Sequence, residues 1–249
     1  MQTAERRSCF FGWEAIRTNV YVDGFNLYYG AVRLTPYKWL DIRALCLRLL
    51  SPAVQLHRIR YFTAEVTGGP ADANKIQRQR FYLRALRTLP NTTIHLGRFL
   101  ESRTRMRVAS PPPGGPTSVE VVKVEEKGSD VNLAAWLLLD GCRGDYEQAV
   151  VISNDSDLVE PIRMVRYELN LPVGVFNPHT QATRDREFML RPQAGGTKPK
   201  KAHPSIELRK VAKFRRDITS DGPTSDVAMC QFPATLTDTA GTFTRPTGW

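Results

Sequence analysis

The stretch "AVVISNDSDLVEP", residues 149–161, decides how this chain is read. Ala149 to Ile152 form a short apolar run, the mark of a buried strand. Asn154, Asp155, Ser156 and Asp157 follow at once, and a helical apolar spacing resumes from Leu158. Two carboxylates within three residues at the mouth of a strand repel each other, so the arrangement calls for something that stabilises it.

Working outward, the same alternation recurs on both sides. "TNVYVDGFNLYYG" (18–30) predicts a buried strand over 19–22 that ends in Asp23 and turns at Gly24. "DIRALCLRLL" (41–50) has a cap at Asp41 and helical apolar spacing. "LHRIRYFTAEV" (56–66) alternates as a strand, "DANKIQRQRFYLRALRTL" (72–89) is spaced as a helix, and "TTIHLGRFL" (92–100) is a third strand. "ASPPPGGPTS" (109–118) is a loop or hairpin connection. "VEVVKVEEKGSD" (119–130) predicts a strand running to a turn at Gly128, with Ser129 capping the apolar helix "DVNLAAWLLLDGC" (130–142). "LVEPIRMVRYELN" (158–170) is a helix with Pro161 in its first turn, and "LPVGVFNP" (171–178) is read as the final strand. Strands alternating with helices over 18–178 give an α/β fold with a mostly parallel sheet.

The flanks differ in composition. Residues 1–17 read as a loosely attached leader, too interrupted by Glu14 to be a signal peptide. Residues 191–249 open on a basic Gly/Pro/Lys linker, continue through the short basic amphipathic segment "SIELRKVAKFRRD", and end in a Pro/Thr-rich tail. The folded domain is expected over 18–190.

Bulk properties narrow the function. The net charge of +10 favours a polyanionic partner, nucleic acid before an acidic membrane surface. Between His57 and Arg107 stand eleven Lys or Arg against three acidic residues, and Arg78, Arg80, Arg84 and Arg87 lie on one predicted helix. Such residues neutralise phosphates independently of sequence, although a solvated helix face explains them equally well. Tyr61, Phe62, Phe81 and Tyr82 are interleaved with them; at strand and helix spacing such rings are more often core than stacking platforms. Cys9, Cys46, Cys142 and Cys230 form no C-x-x-C pair, which argues against a zinc ribbon and suits a reducing cytoplasm. No apolar run approaches a membrane span.

In an open parallel sheet, ligands bind beyond the carboxyl ends of the strands. Asp23 ends one strand, Asp155 ends another with Asp157 opening the next helix, and Asp130 begins a helix after a strand and turn. Taken singly, an aspartate after a strand is more often a helix cap than a ligand. Four converging on one sheet edge are not explained that way. Oxygen donors with no His or Cys nearby select hard ions, Mg²⁺ or Mn²⁺. Asn26, Ser153, Asn154 and Ser156 are placed to hydrogen-bond such carboxylates, and Lys127 to meet a phosphate, with turn and surface roles as the plain alternatives. Asp140 and Asp145 fall on the opposite edge and are read as structural. His57, His95, His179 and His203 form no cluster. No G-x-G-x-x-G, P-loop, D-x-D or D-x-S-x-S pattern appears.

"VYVDGFNLYYG", "EEKGSDVNLAAWLLLD" and "AVVISNDSDLVEPI" together resemble the NYN domain family, relatives of the PIN nucleases, over about residues 18–178. The resemblance implies a Rossmann-like three-layer PIN/NYN domain and a metal-dependent endoribonuclease. Asp23, Asp130, Asp155 and Asp157 match the family's acidic constellation, and Asn26 its D-x-x-N. RNA is then the partner, 5′-phosphate and 3′-hydroxyl ends are the products, and pairing into a homodimer is left open. Two alternatives stand beside this: a non-catalytic RNA-binding module, and an NADH-dependent hydroxylase of a small pyridine-type aromatic, because some bacterial relatives with a similar tail are catalogued as such. No nucleotide or flavin motif supports the last.

Overall fold

A computed structural model describes residues 15–66, 74–180, 185, 186, 189 and 205–249. Most of the expected leader (1–17) and all of the Gly/Pro/Lys linker up to residue 204 lie outside the described residues. Residues 16 and 17 of that leader already belong to the first strand.

The chain runs β1 (Ile16–Asp23), α1 (Gly24–Leu27), a π-helical turn (Tyr28–Val32), α2 (Ile42–Leu49), β2 (Val54–Ala64), α3 (Lys75–Arg87), β3 (Thr92–Arg107) and β4 (Ser118–Lys127). It continues through α4 (Ser129–Cys142), β5 (Gln148–Ile152), a 3₁₀ turn (Ser156–Leu158), α5 (Val159–Tyr167), β6 (Val173–Asn177), α6 (Ile206–Val211) and β7 (Phe214–Asp217). The tail adds α7 (Asp226–Met229), β8 (Thr235–Asp238) and β9 (Gly241–Thr244). The main sheet has seven strands in the order β4-β3-β2-β1-β5-β6-β7, all parallel except β4. Its seventh strand is "FRRD", from the segment read as linker and short helix; four residues are too few to show a period before the sheet edge that accepts them is known.

Helices cover both faces, making three layers. Along β1, Val20 and Val22 face one core with Leu27, Ile42, Leu45 and Leu86, whereas Tyr21 faces the other with Leu133, Leu137, Ile162 and Val165. Alternation of side chains across a strand produces this division. In α2 the buried residues Ile42, Leu45, Cys46 and Leu49 recur at helical spacing, and Asp41 caps the helix by accepting from the Ala44 amide at 2.9 Å. The tail is integral to the first core: Val227, Cys230, Phe232 and Phe243 are buried in it.

The edge opposite the candidate site is pinned by ion pairs. Arg60 donates two hydrogen bonds to Asp140, at 2.6 and 2.8 Å, and the Tyr21 hydroxyl donates a third at 2.7 Å. Arg58 and Asn19 do the same for Asp145. Both aspartates are thus structural.

β3 is longer than "TTIHLGRFL" suggests. It pairs with β2 only as far as Gly97, and from Arg98 to Arg107 it pairs solely with β4. The result is a two-stranded ribbon projecting past the carboxyl edge of the sheet. Leu100, Met106, Val119, Val122 and Val124 on it are exposed, so its alternation reflects pleat without burial. β4 returns at Gly128, whose φ of 100° is a left-handed conformation suited to glycine, and α4 starts there. Ser129 is not the cap; the helix's first amide donates instead to Glu126 Oε1 at 3.1 Å.

Candidate functional site

Strand order reverses about β1: β2, β3 and β4 lie on one side, and β5, β6 and β7 on the other. The carboxyl ends of β1 and β5 therefore border the switch point, where open α/β sheets bind ligands. Asp23 ends β1 there, and Ser153 to Asp157 leave β5 beside it.

Asp23 is buried and fixed at both oxygens. Oδ1 accepts from the Asn26 amide at 2.9 Å, and Oδ2 accepts from the Ser153 hydroxyl at 2.9 Å. Ser153 Oγ in turn accepts from the Asp155 amide at 3.0 Å. Asn26 ties the two loops together by accepting from the Asn154 amide at 2.9 Å. Asp155 Oδ1 accepts from the Asp157 amide at 3.0 Å. Asp23 and Asp155 are therefore helix caps, as the plain alternative held. Capping does not exhaust them, because each carboxylate oxygen has a second lone pair.

Electrostatics link the four aspartates. Burial pushes the Asp23 carboxyl up to about 7, and the negative charges of Asp130 and Asp155 add to it against the two hydrogen bonds. Burial likewise raises Asp130, up to about 6, helped by Asp155, Glu126 and Asp157. Glu126 is an acidic neighbour that sequence reasoning missed; it reads as one more charge on an exposed strand until the return of β4 is seen. Among the described residues no group of three or more His, Cys, Asp and Glu is close enough to hold a metal ion as it stands. The donor chemistry nonetheless fits a hard cation: oxygens only, on carboxylates whose burial, with their neighbours' charge added, opposes ionisation in the absence of a cation.

The remaining candidates divide. Asn154 accepts from the Ser205 amide at 2.7 Å, so its side chain reaches toward α6 rather than a carboxylate. Ser156, Asp157 and Lys127 are exposed, and Lys127 stands 3.6 Å from Glu125. The four α3 arginines do not share a face. Arg84 is committed to the tail, with two 2.7 Å bonds to Asp238, one to the Gly241 carbonyl, and its guanidinium over the Phe243 ring. It is not available to phosphate. Arg80 and Arg87 are exposed, while Arg78 lines a cleft. With Arg58 and Arg60 also internally paired, exposed positive charge in the basic stretch lies on α3 and on the ribbon, at Arg98, Arg103, Arg105 and Arg107.

The cleft, of about 400 Å³, adjoins Asp23. Phe25, Tyr29, Tyr61, Tyr82 and Trp249 form its walls, with Arg33, Lys75 and Arg78 among them. A Cβ on Gly24 would come within 2.5 Å of Tyr61 Cζ and 2.8 Å of the Phe62 carbonyl, so glycine lets the Tyr61 ring lie against the turn after Asp23. Sequence spacing assigns Tyr61 and Tyr82 to the core, and both are partly that: each packs in the first core while turning an edge to the cleft.

No helix among the described residues is long and apolar enough to cross a membrane. A relative from Pseudomonas putida (strain DSM 28022 / S16), 6-hydroxy-3-succinoylpyridine 3-monooxygenase HspA, is 29% identical over 259 residues, covering 95% of this chain and 76% of the relative. The crystal structure of a protein of unknown function, VPA0982 from Vibrio parahaemolyticus RIMD 2210633, aligns with a TM-score of 0.46 at 14% identity, over 82% of this chain and 94% of that one. The NYN domain model matches residues 17–188, well over half the sequence, and the three-layer fold around a mostly parallel sheet agrees with it. The chain belongs to the NYN domain family.

Proposed function

We propose that this chain is a metal-dependent endoribonuclease that hydrolyses RNA phosphodiester bonds at the edge bearing Asp23, Asp130, Asp155 and Asp157. One observation carries the reading: carboxylates from three separate segments are near enough to add their charge to the burial that raises Asp23 and Asp130, at the switch point of a NYN-family sheet. A group that resists accumulating negative charge in this way is stabilised by a cation. Oxygen donors favour Mg²⁺ or Mn²⁺, held by the four aspartates. Such an ion supplies Lewis acidity toward phosphoryl oxygens and lowers the pKa of a water to near neutrality.

The chain's own residues do the positioning. Ser153 and the Asn26 amide hold the Asp23 carboxylate in one orientation, and Asn26 fixes the β5 loop to α1, so Asp23 and Asp155 keep their separation. Lys127 and the ribbon arginines attract the RNA backbone toward an edge that would otherwise repel it, and Arg80 and Arg87 extend the exposed positive charge along α3.

A second reading is favoured by the ring-lined cleft and by the monooxygenase name of the Pseudomonas relative: hydroxylation of a small pyridine-type aromatic. The residues do not fit the nicotinamide cofactor that reading brings, since β1 is followed by Gly24-Phe25-Asn26-Leu27 rather than a glycine-rich phosphate turn. No step through that cofactor follows from them.

The test uses labelled single-stranded RNA with the purified protein, in EDTA and after restoring excess Mn²⁺. Cleavage is expected only with the ion. Undiminished cleavage in EDTA rejects the metal mechanism, and bound but uncut RNA under every ion leaves a binding module.

A further inference from the structure

We propose that the cleft beside Asp23 is a subsite for a flat aromatic ring carrying an anionic group. Its volume of about 400 Å³ lies in the range of small-molecule sites. Its surface pairs two kinds of group that seldom converge by chance. Rings come from α1 and the turn after it (Phe25, Tyr29), from β2 (Tyr61), from α3 (Tyr82) and from the tail (Trp249). Cations come from the same neighbourhood: Arg33, 5.5 Å above the Tyr29 ring, and Lys75 and Arg78 on the cleft-facing side of α3. Among the described lining residues there is no acidic side chain.

The walls are held before any ligand arrives. The Tyr82 hydroxyl donates to the Leu40 carbonyl at 3.0 Å, and its ring meets Trp249 at 5.7 Å. Trp249 also packs on Trp39, and Phe25 stacks on Tyr29 at 6.4 Å. Preformed rings stack on a planar ligand at little entropic cost, and the cations select one that bears negative charge. Gly24, in the cleft wall, directly follows Asp23, so the cleft lies beside the acidic edge.

Two sources supply this chemistry. One is a nucleobase with its phosphate, in which case the inference rests on the nuclease reading and makes the substrate unpaired RNA, because a base within a duplex has no free face. The other is a free pyridine bearing a carboxylate.

The experiment is titration calorimetry on the full chain in EDTA. The probes are adenosine 5′-monophosphate, 6-hydroxy-3-succinoylpyridine, adenosine and ribose 5-phosphate. At least one of the two ring anions should bind saturably, and Tyr29→Ala and Lys75→Gln should each weaken it about tenfold or more. Arg163→Gln, on α5 and paired with Glu160, should leave it unchanged. Binding of the nucleotide alone supports the RNA source, and binding of the pyridine alone supports the other. Equal binding of adenosine or of ribose 5-phosphate, indifference to both cleft variants, or no saturable binding of either ring anion overturns the proposal. Since no RNA is cut in EDTA under the metal mechanism, a negative result here leaves the nuclease reading standing. Ring binding by a protein that never cuts RNA sinks the nuclease reading alone.

Discussion

Asp23→Asn gives the sharpest separation between a carboxylate kept for a cation and one kept as a helix cap. The ordinary value of an aspartate is 3.8, and the folded protein raises Asp23 to about 7. Between those two values the folded chain holds a proton that the unfolded chain has released, so stability falls as pH rises from about 4 to about 7. Above pH 7 the full cost is present, about 4 kcal/mol at 1.36 kcal/mol per pKa unit. Asparagine removes that cost while keeping the hydrogen bonds: Oδ1 still accepts from the Asn26 amide, and Nδ2 donates to Ser153 Oγ, whose hydroxyl rotates away. In EDTA at pH 8, the variant should melt higher than the wild type by roughly 8–16 °C, at roughly 2–4 °C per kcal/mol for a chain of this size. At pH 4 the two should nearly coincide. Excess Mn²⁺ should raise the wild-type melting temperature and not the variant's, closing the gap, while RNA cleavage by the variant is lost. The assay is thermal unfolding across pH 4–8 with and without Mn²⁺. A variant that melts lower than wild type at pH 8, with an unchanged pH slope, would refute the reasoning and leave Asp23 as a cap.

Asp157→Asn leaves an exposed position whose amide, not its side chain, makes the capping bond, so stability should hold within about 0.5 kcal/mol while cleavage falls; retained cleavage removes Asp157 from the site. Arg60→Met breaks a buried pair and leaves Asp140 uncompensated, so urea unfolding should show a loss of about 3–5 kcal/mol, and a loss under 1 kcal/mol contradicts the burial argument. Reversing Arg80 and Arg87 to Glu should flatten the salt dependence of RNA binding, whereas Arg84→Gln should leave that slope alone and loosen the tail, read as faster amide exchange over β8 and β9. An Arg84→Gln slope as shallow as the double reversal would return Arg84 to the RNA track.

The layered fold was readable because its evidence is local. The apolar run at 149–152, the strand ending at Asp23 and the spacing of Ile42, Leu45 and Leu49 each carry their period within a few residues. The shared edge of Asp23 and Asp155 was readable by topology, since strand ends of a parallel sheet meet on one side; Asp130 follows an antiparallel strand and reaches that edge only because β4 stops beside Arg98. What escaped depends on partners distant in sequence. Arg84 faces Asp238, Tyr82 meets Trp249, and "FRRD" becomes a strand only because β6 offers an open edge. Glu126 joins the aspartates because the β3–β4 ribbon turns back over Gly97, a path that the alternation of 98–107 cannot reveal.

That ribbon is also the approach to a helix. Past Gly97 it leans on no other strand, yet its returning arm ends one residue before the helix that carries Asp130. Gly128, the joint between them, is the most conformationally permissive residue type available. The arm carrying the ribbon's exposed valines enters α4 through this one residue. The strand that returns from the exposed arginines is therefore the one that sets where the Asp130 helix begins.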